Sequence, residues 1–294
     1  MRLDIPHPRE LWHRVRRRPA PTVFLKQYGE RRTGTNYLRA VLQLNYQNAV
    51  PLMHVLGDKH SPPVDLPDLW DSLGHQPDKD VAFITQATYA APAESTFPGD
   101  PVQTAHLIAL AKPLAVAVQT NRLGFLISLK HPLRWAWSYA IYMGWCRCVE
   151  GAWEVDPARS AEMEAACRNF NHRHYAWWNF YLDHPGKVCL VHHEVLCYEP
   201  YRLLRKIERQ FGLVRLRWHW VLPTERVQPT YWDQDQPNYA VQHFEESCRG
   251  QDTLHKILGQ DIRRMVEEVV DWELMRRFGY DRDCPFAVAH SPCA

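Results

Sequence analysis

Arg32, Thr33, Thr35 and Asn36 cluster around Gly34 in the run Tyr28-Gly29-Glu30-Arg31-Arg32-Thr33-Gly34-Thr35-Asn36-Tyr37-Leu38. One guanidinium, two hydroxyls and an amide beside a glycine turn can hold a phosphate or sulfate group, because such turns also aim backbone N–H groups at one spot. The spacing Gly29-x-x-x-x-Gly34 is that of a nucleotide-binding loop. Thr35 and Asn36, however, stand where a Mg-dependent NTPase needs Lys for the β/γ-phosphates and Ser or Thr for the metal. The loop therefore reads as a site for a 5′-phosphate group held without a metal. Chance alone can put this spacing in a strand-turn-helix, so a second signal matters. Lys130 and Ser138 supply it, eight residues apart across what reads as a strand-to-helix turn at Pro132. An ammonium and a hydroxyl so placed can converge on another anion, and two anion sites imply a ligand phosphorylated at two places.

The pair of motifs resembles the two cofactor motifs of the PAPS-dependent sulfotransferases, PAPS being 3′-phosphoadenosine 5′-phosphosulfate. In that family the first motif reads Lys/Arg-Ser/Thr-Gly-Thr-x-x-Leu, and Arg32-Thr33-Gly34-Thr35-Asn36-Tyr37-Leu38 matches it. The second reads Arg-x-Pro with a Ser six residues after the Pro; here it is Lys130-His131-Pro132 and Ser138. Lys for Arg keeps the charge and loses the bidentate fork. The resemblance implies that Arg31, Arg32, Thr33, Gly34, Thr35, Asn36 and Tyr37 hold the 5′-phosphosulfate and that Lys130 and Ser138 hold the 3′-phosphate. It implies PAPS as cofactor, PAP (3′-phosphoadenosine 5′-phosphate) as product, and no metal. Arg32 would neutralise charge on the transferred sulfuryl. His60, in His60-Ser61-Pro62, resembles the family's catalytic His-x-Pro and would take the acceptor hydroxyl's proton, its ordinary pKa lying near neutrality. His54 and Asp58 are alternatives, as is His106, since the stretch from His60 to the second motif is long for the family. Val188 to Leu196 resembles a later strand-plus-Glu-x-Leu signature, with Glu194 as a structural hydrogen-bonding residue. Arg226 and Arg249-Gly250 match the family's C-terminal phosphate loop too poorly to be assigned.

These residues need a scaffold that brings loop ends together. Residues 22–28 are β-prone, and from Thr35 the apolar positions Leu38, Val41 and Leu42 have helical spacing. Residues 49 onward, 81–88, 123–129 and 187–193 read as further strands. Helices are expected over 102–119 with an interruption at Pro113, over 158–182, over 200–212 ending at a glycine cap, and over 254–279 as one long amphipathic helix with Gly279 as its stop. Apolar runs each followed by a loop and usually a helix predict an α/β fold, a three-layer sandwich with a mainly parallel central sheet, whose ligands sit at the strands' carboxyl ends. The resemblance makes this the P-loop NTPase-like sulfotransferase fold. The aromatics of 158–182 could border an acceptor, although at helical spacing core is the plainer reading.

The 294 residues, 46% hydrophobic, suffice for a single domain spanning 1–294, with no repeat or low-complexity linker to divide it. A net charge of +2 gives no reason to expect nucleic-acid binding. Residues 1–21 form a basic extension carrying six arginines, with no apolar run of the length that export or membrane insertion needs, so a cytoplasmic protein is expected. That arm could touch an anionic membrane surface if the acceptor is a lipid-linked sugar; a solvated extension is the simpler reading. The eight cysteines include no C-x-x-C pair, so they read as free thiols rather than a zinc site. The expected function is sulfuryl transfer from PAPS to a hydroxyl, favoured to be that of a carbohydrate or glycolipid. The rivals are a kinase-like phosphotransferase and a PAP- or anion-binding protein without catalysis.

Overall fold

The structure, a computed structural model, describes residues 20–52, 56, 59–63, 113–114, 116–149, 152–223 and 260–282. Strand β1 (Val23–Gly29) leads through the glycine loop to helix α1 (Thr35–Asn45) and strand β2 (Ala49–Leu52). Strand β3 (Leu123–Leu129) is followed by α2 (Pro132–Tyr142), by a hairpin of β4 (Cys146–Val149) and β5 (Ala152–Val155), and by the long helix α3 (Ser160–Asp183). Then come β6 (Val188–His192), α4 (His193–Tyr198), α5 (Pro200–Phe211), α6 (Gln260–Val269) and α7 (Trp272–Arg277). The main sheet has the order β2-β1-β3-β6, every described pairing in it parallel. The expected α/β class with a parallel sheet is thus what the chain adopts.

Side chains alternate across a strand, so each strand feeds two cores. Leu25, Leu126, Cys189 and Val191 pack with Leu38, Val41 and Leu42 of α1 and with Leu203, Leu204 and Ile207 of α5. Phe24, Tyr28, Phe125, Ile127 and Leu129 pack on the other face with Trp135 of α2, Phe170, Trp177 and Phe180 of α3, and Ile262 and Val266 of α6. Helices on both faces make three layers. At roughly 25 cal/mol per Å² of apolar surface, a fully buried Phe or Leu contributes about 1.5–3 kcal/mol, so each face is a substantial source of stability.

The order has a consequence for the site. The chain leaves β1 through α1 on one face to reach β2, and leaves β3 through α2 and α3 on the other face to reach β6. Two neighbouring strands whose connections diverge to opposite faces open a crevice at their carboxyl ends, where ligands of such sheets bind. The glycine loop follows β1 and Lys130 follows β3, so both motifs lie on that crevice.

Several expectations change in detail. The segment after α2 forms the antiparallel β4–β5 hairpin, separate from the main sheet. The helix expected over 254–279 is broken: α6 stops at Val269 and α7 starts at Trp272. Asp271 caps the second piece, accepting from Leu274 N at 2.9 Å, while its own N–H donates to Asn171 Oδ1 at 3.0 Å. Residues 113–114 and 116–119 are helical, while the part of the expected helix before Pro113 lies outside the described residues. Of the aromatics expected near an acceptor, Trp177 and Phe180 are core, and Trp178 and Tyr181 pack against it. No helix among the described residues is long and apolar enough to cross a membrane. The strand expected over 81–88, the basic arm, Arg226, Arg249 and Gly250 lie outside the described residues.

Candidate active site

The loop begins with a glycine that nothing else can replace. Gly29 has φ 155°, and a Cβ there would lie 2.7 Å from Ser128 O, 2.8 Å from Ser128 Cβ and 2.9 Å from Thr33 Oγ1. Arg32 is left-handed at φ 72°, a conformation that costs a non-glycine residue about 1–2 kcal/mol and must be held by its surroundings. Thr33 helps, its N–H and its hydroxyl both donating to Glu30 O, at 3.3 and 2.7 Å. Gly34, at φ 80°, sits at the N-cap position of α1 with no side-chain cap, so the first turn of that helix begins at the loop itself. A helix start of this kind favours an anion.

The segment containing His60 docks on the loop's first residue. Gly29 N donates to Lys59 O at 2.8 Å, and His60 Nδ1 lies 2.7 Å from Gly29 O. A carbonyl can only accept, so Nδ1 carries the proton and Nε2 carries the lone pair of the neutral ring. That is the tautomer a general base needs. Lys59, which the motifs did not single out, donates to Asn36 Oδ1 at 2.8 Å and adds a cation at the start of α1. His54, Asp58 and His106, the alternatives to His60, lie outside the described residues.

The second motif meets the first. Lys130 Nζ donates to Ser138 Oγ at 2.6 Å and to Arg32 O at 3.3 Å, so the residue after β3 reaches the loop after β1. Burial pushes the Lys130 ammonium down to about 8, with Arg134 and Arg32 adding to the effect and Glu194 and Cys197 opposing it. Neighbouring His193 is held well below its ordinary value by burial and by Lys130, Arg134 and Arg32. It stays a neutral wall behind Gly34, whose Cβ would lie 3.2 Å from its Cδ2. Arg134 and His193 escaped the sequence reading, although Arg134 stands four residues before Ser138, one turn along the same face of α2.

Glu194 organises the floor of the turn. It accepts from His131 N at 3.1 Å and from Tyr280 OH at 2.9 Å, and Arg134 Nη1 lies 3.7 Å away. His131, the middle residue of the second motif, is the N-cap of α2: its Nε2 donates to Asp281 O at 3.0 Å, and its Nδ1 accepts from Leu133 N at 3.3 Å. His192 Nε2 donates to Phe278 O at 2.7 Å, so the C-terminal segment 278–281 is tied under the second motif.

Among the remaining expected residues, Arg31 is exposed on the loop, Tyr37 is half-buried on α1, and Arg32 Cζ lies 5.5 Å from the centre of the Tyr142 ring. The donor set fits a polyanion. Lys130 and Arg134 are buried close to Arg32, with the Glu194 carboxylate beside them. The buried Ser128 hydroxyl, next to Gly29 under the loop, makes no hydrogen bond.

No family model matches the chain, and no curated protein matches it. A structural comparison pairs it with the sulfotransferase domain from the Synechococcus PCC 7002 olefin synthase, at 15% identity and a TM-score of 0.39, over 90% of this chain and 96% of that domain. That likeness is too loose to assign an activity.

Proposed function

We propose that the chain is a PAPS-dependent sulfotransferase, acting on a hydroxyl acceptor of carbohydrate or glycolipid type. The observation that carries this reading is buried Lys130, paired with half-buried Ser138 and docked on the carbonyl of Arg32. It joins the two anion motifs into one site, as a ligand with phosphate groups at both ends of a nucleoside requires. Arg31 through Tyr37 would hold the 5′ end, and Lys130 with Ser138 the 3′-phosphate. PAPS, when bound, supplies a sulfuryl group activated by a phosphate leaving group. The chain's own residues do the rest by position and charge. Arg32 neutralises negative charge at the loop, and the start of α1 adds its dipole. His60, fixed by the Gly29 carbonyl in the tautomer with a basic Nε2, removes the acceptor's proton.

Thermal-shift titration tests this, since a ligand that binds only the folded chain raises its melting temperature. PAP in excess chelator should raise it saturably. A shift with Mg-ATP and none with PAP would favour a kinase-like phosphotransferase. A shift with neither would reduce both motifs to structural turns. A PAP shift together with indifference of acceptor turnover to replacement of His60 would leave a binding protein or a different base.

A further inference from the structure

A carboxylate is an odd residue to find in an anion-binding loop, and Glu30 sits inside this one. Its side chain is buried and points away from the loop to α3, where Arg173 grips it with two nitrogens: Nε bonds Oε1, and Nη2 donates to Oε2 at 2.9 Å. The partners are 143 residues apart in sequence, so the contact is a choice of the fold and not of local geometry. A bidentate guanidinium fixes the carboxylate in direction as well as distance. The pair is neutral as a unit, so the loop's positive face is left to Arg31 and Arg32.

The loop also has something to be held. Arg32 is in a left-handed conformation that its side chain disfavours, and it lies two residues after Glu30. Such residues persist only where their surroundings over-determine them. From the far side Lys130 grips the Arg32 carbonyl, and within the turn Thr33 bonds Glu30 O. Glu30 is the anchor on the near side. Burial acts against it, pushing its carboxyl up to about 7 despite Arg173 and Arg31. A buried carboxyl turned to α3 and gripped there by two guanidinium nitrogens points to a mechanical role.

We propose that Glu30 and Arg173 are a positioning pair, whose ion pair clamps the glycine loop to α3 and holds Arg32 in the left-handed conformation in which the loop receives the 5′ end of its nucleotide. The inference rests on the cofactor reading above. Calorimetric titration of the full chain with PAP, well below the melting temperature, tests it on wild type, Glu30→Gln, Arg173→Met, the double variant and Arg173→Lys. Each of the first two single variants should bind about tenfold more weakly, and the double variant no worse than the weaker single one, because the pair acts as a unit. Arg173→Lys, which keeps the charge and loses the fork, should fall between wild type and Arg173→Met. Variants that lower the melting temperature yet bind PAP like wild type would make the pair merely structural and overturn the proposal. Additive losses in the double variant would also overturn it. Should Arg173→Met fail to fold, Arg173→Lys decides: faster amide exchange at residues 31–33 with weaker binding supports the clamp, and unchanged exchange and binding refute it. If wild type binds no PAP, the cofactor reading fails and the clamp's purpose with it, whereas binding retained in the variants removes the clamp only.

Discussion

The loop after β1 presents mainly backbone, and the turn after β3 presents side chains packed around buried Lys130 and Arg134; their supports differ accordingly. The loop depends on two glycines, a left-handed arginine and partners that grip its carbonyls: Lys130 on Arg32 O and His60 on Gly29 O. The turn is regular, a strand running into a helix capped by His131, and its specialisation is a network in which Glu194 serves His131, Arg134 and Tyr280 together. A site built from backbone is fragile to any added Cβ and indifferent to charge. One built from buried charges tolerates shape changes better but depends on the hub that its partners share.

Removing the hub of the turn should have the largest effect. Glu194→Ala leaves the Tyr280 hydroxyl and the His131 N–H without their acceptor and removes the opposite charge 3.7 Å from Arg134, and breaking a buried pair of this kind costs about 3–5 kcal/mol. Urea unfolding should show it; a loss under 1 kcal/mol would mean that the turn does not depend on its network. At the loop, Gly29→Ala should cost about 2–4 kcal/mol, since the new Cβ meets Ser128 backbone and the φ is one that side chains rarely adopt. A melting temperature like that of wild type would deny the loop its tight backbone. Lys130→Met separates function from stability. It removes a buried cation crowded by other cations, so stability should change by less than about 1 kcal/mol while PAP binding weakens about tenfold or more.

A further effect concerns pH. Glu30 binds its proton more tightly folded, at about 7, than at its ordinary 4.5, so its contribution to stability is complete below 4.5 and is lost as the pH rises through 7. Measured from pH 4.5 to 8, wild type should therefore lose stability relative to Glu30→Gln, with no further divergence above 8. Parallel curves would mean that the clamp's carboxylate is not buried as described.

What the sequence revealed and what it hid follow the same division. The strands and helices that carry the motifs were legible because each has its own apolar period, as with Leu38, Val41 and Leu42 on α1, and the glycine loop because its residues are contiguous. The partners were hidden by distance: Arg173 for Glu30, Tyr280 for Glu194, Lys59 for Asn36. Nothing local marks such pairs. The β4–β5 hairpin carried a weak signal, Glu150-Gly151 between two four-residue runs, which the neighbouring helices masked. The break before α7 was hidden because Asp271 reads as one more polar position on an amphipathic helix until its capping bond is seen.

The central claim is that both motifs form one site for a nucleotide phosphorylated at its 3′ and 5′ positions. Calorimetry with PAP and with 5′-AMP, on wild type and Lys130→Met, tests it most directly. Wild type should prefer PAP by about tenfold or more, and Lys130→Met should lose that preference, weakening PAP by more than it weakens 5′-AMP. Equal affinities for the two nucleotides in wild type, or a preference for PAP that survives in Lys130→Met, would contradict it.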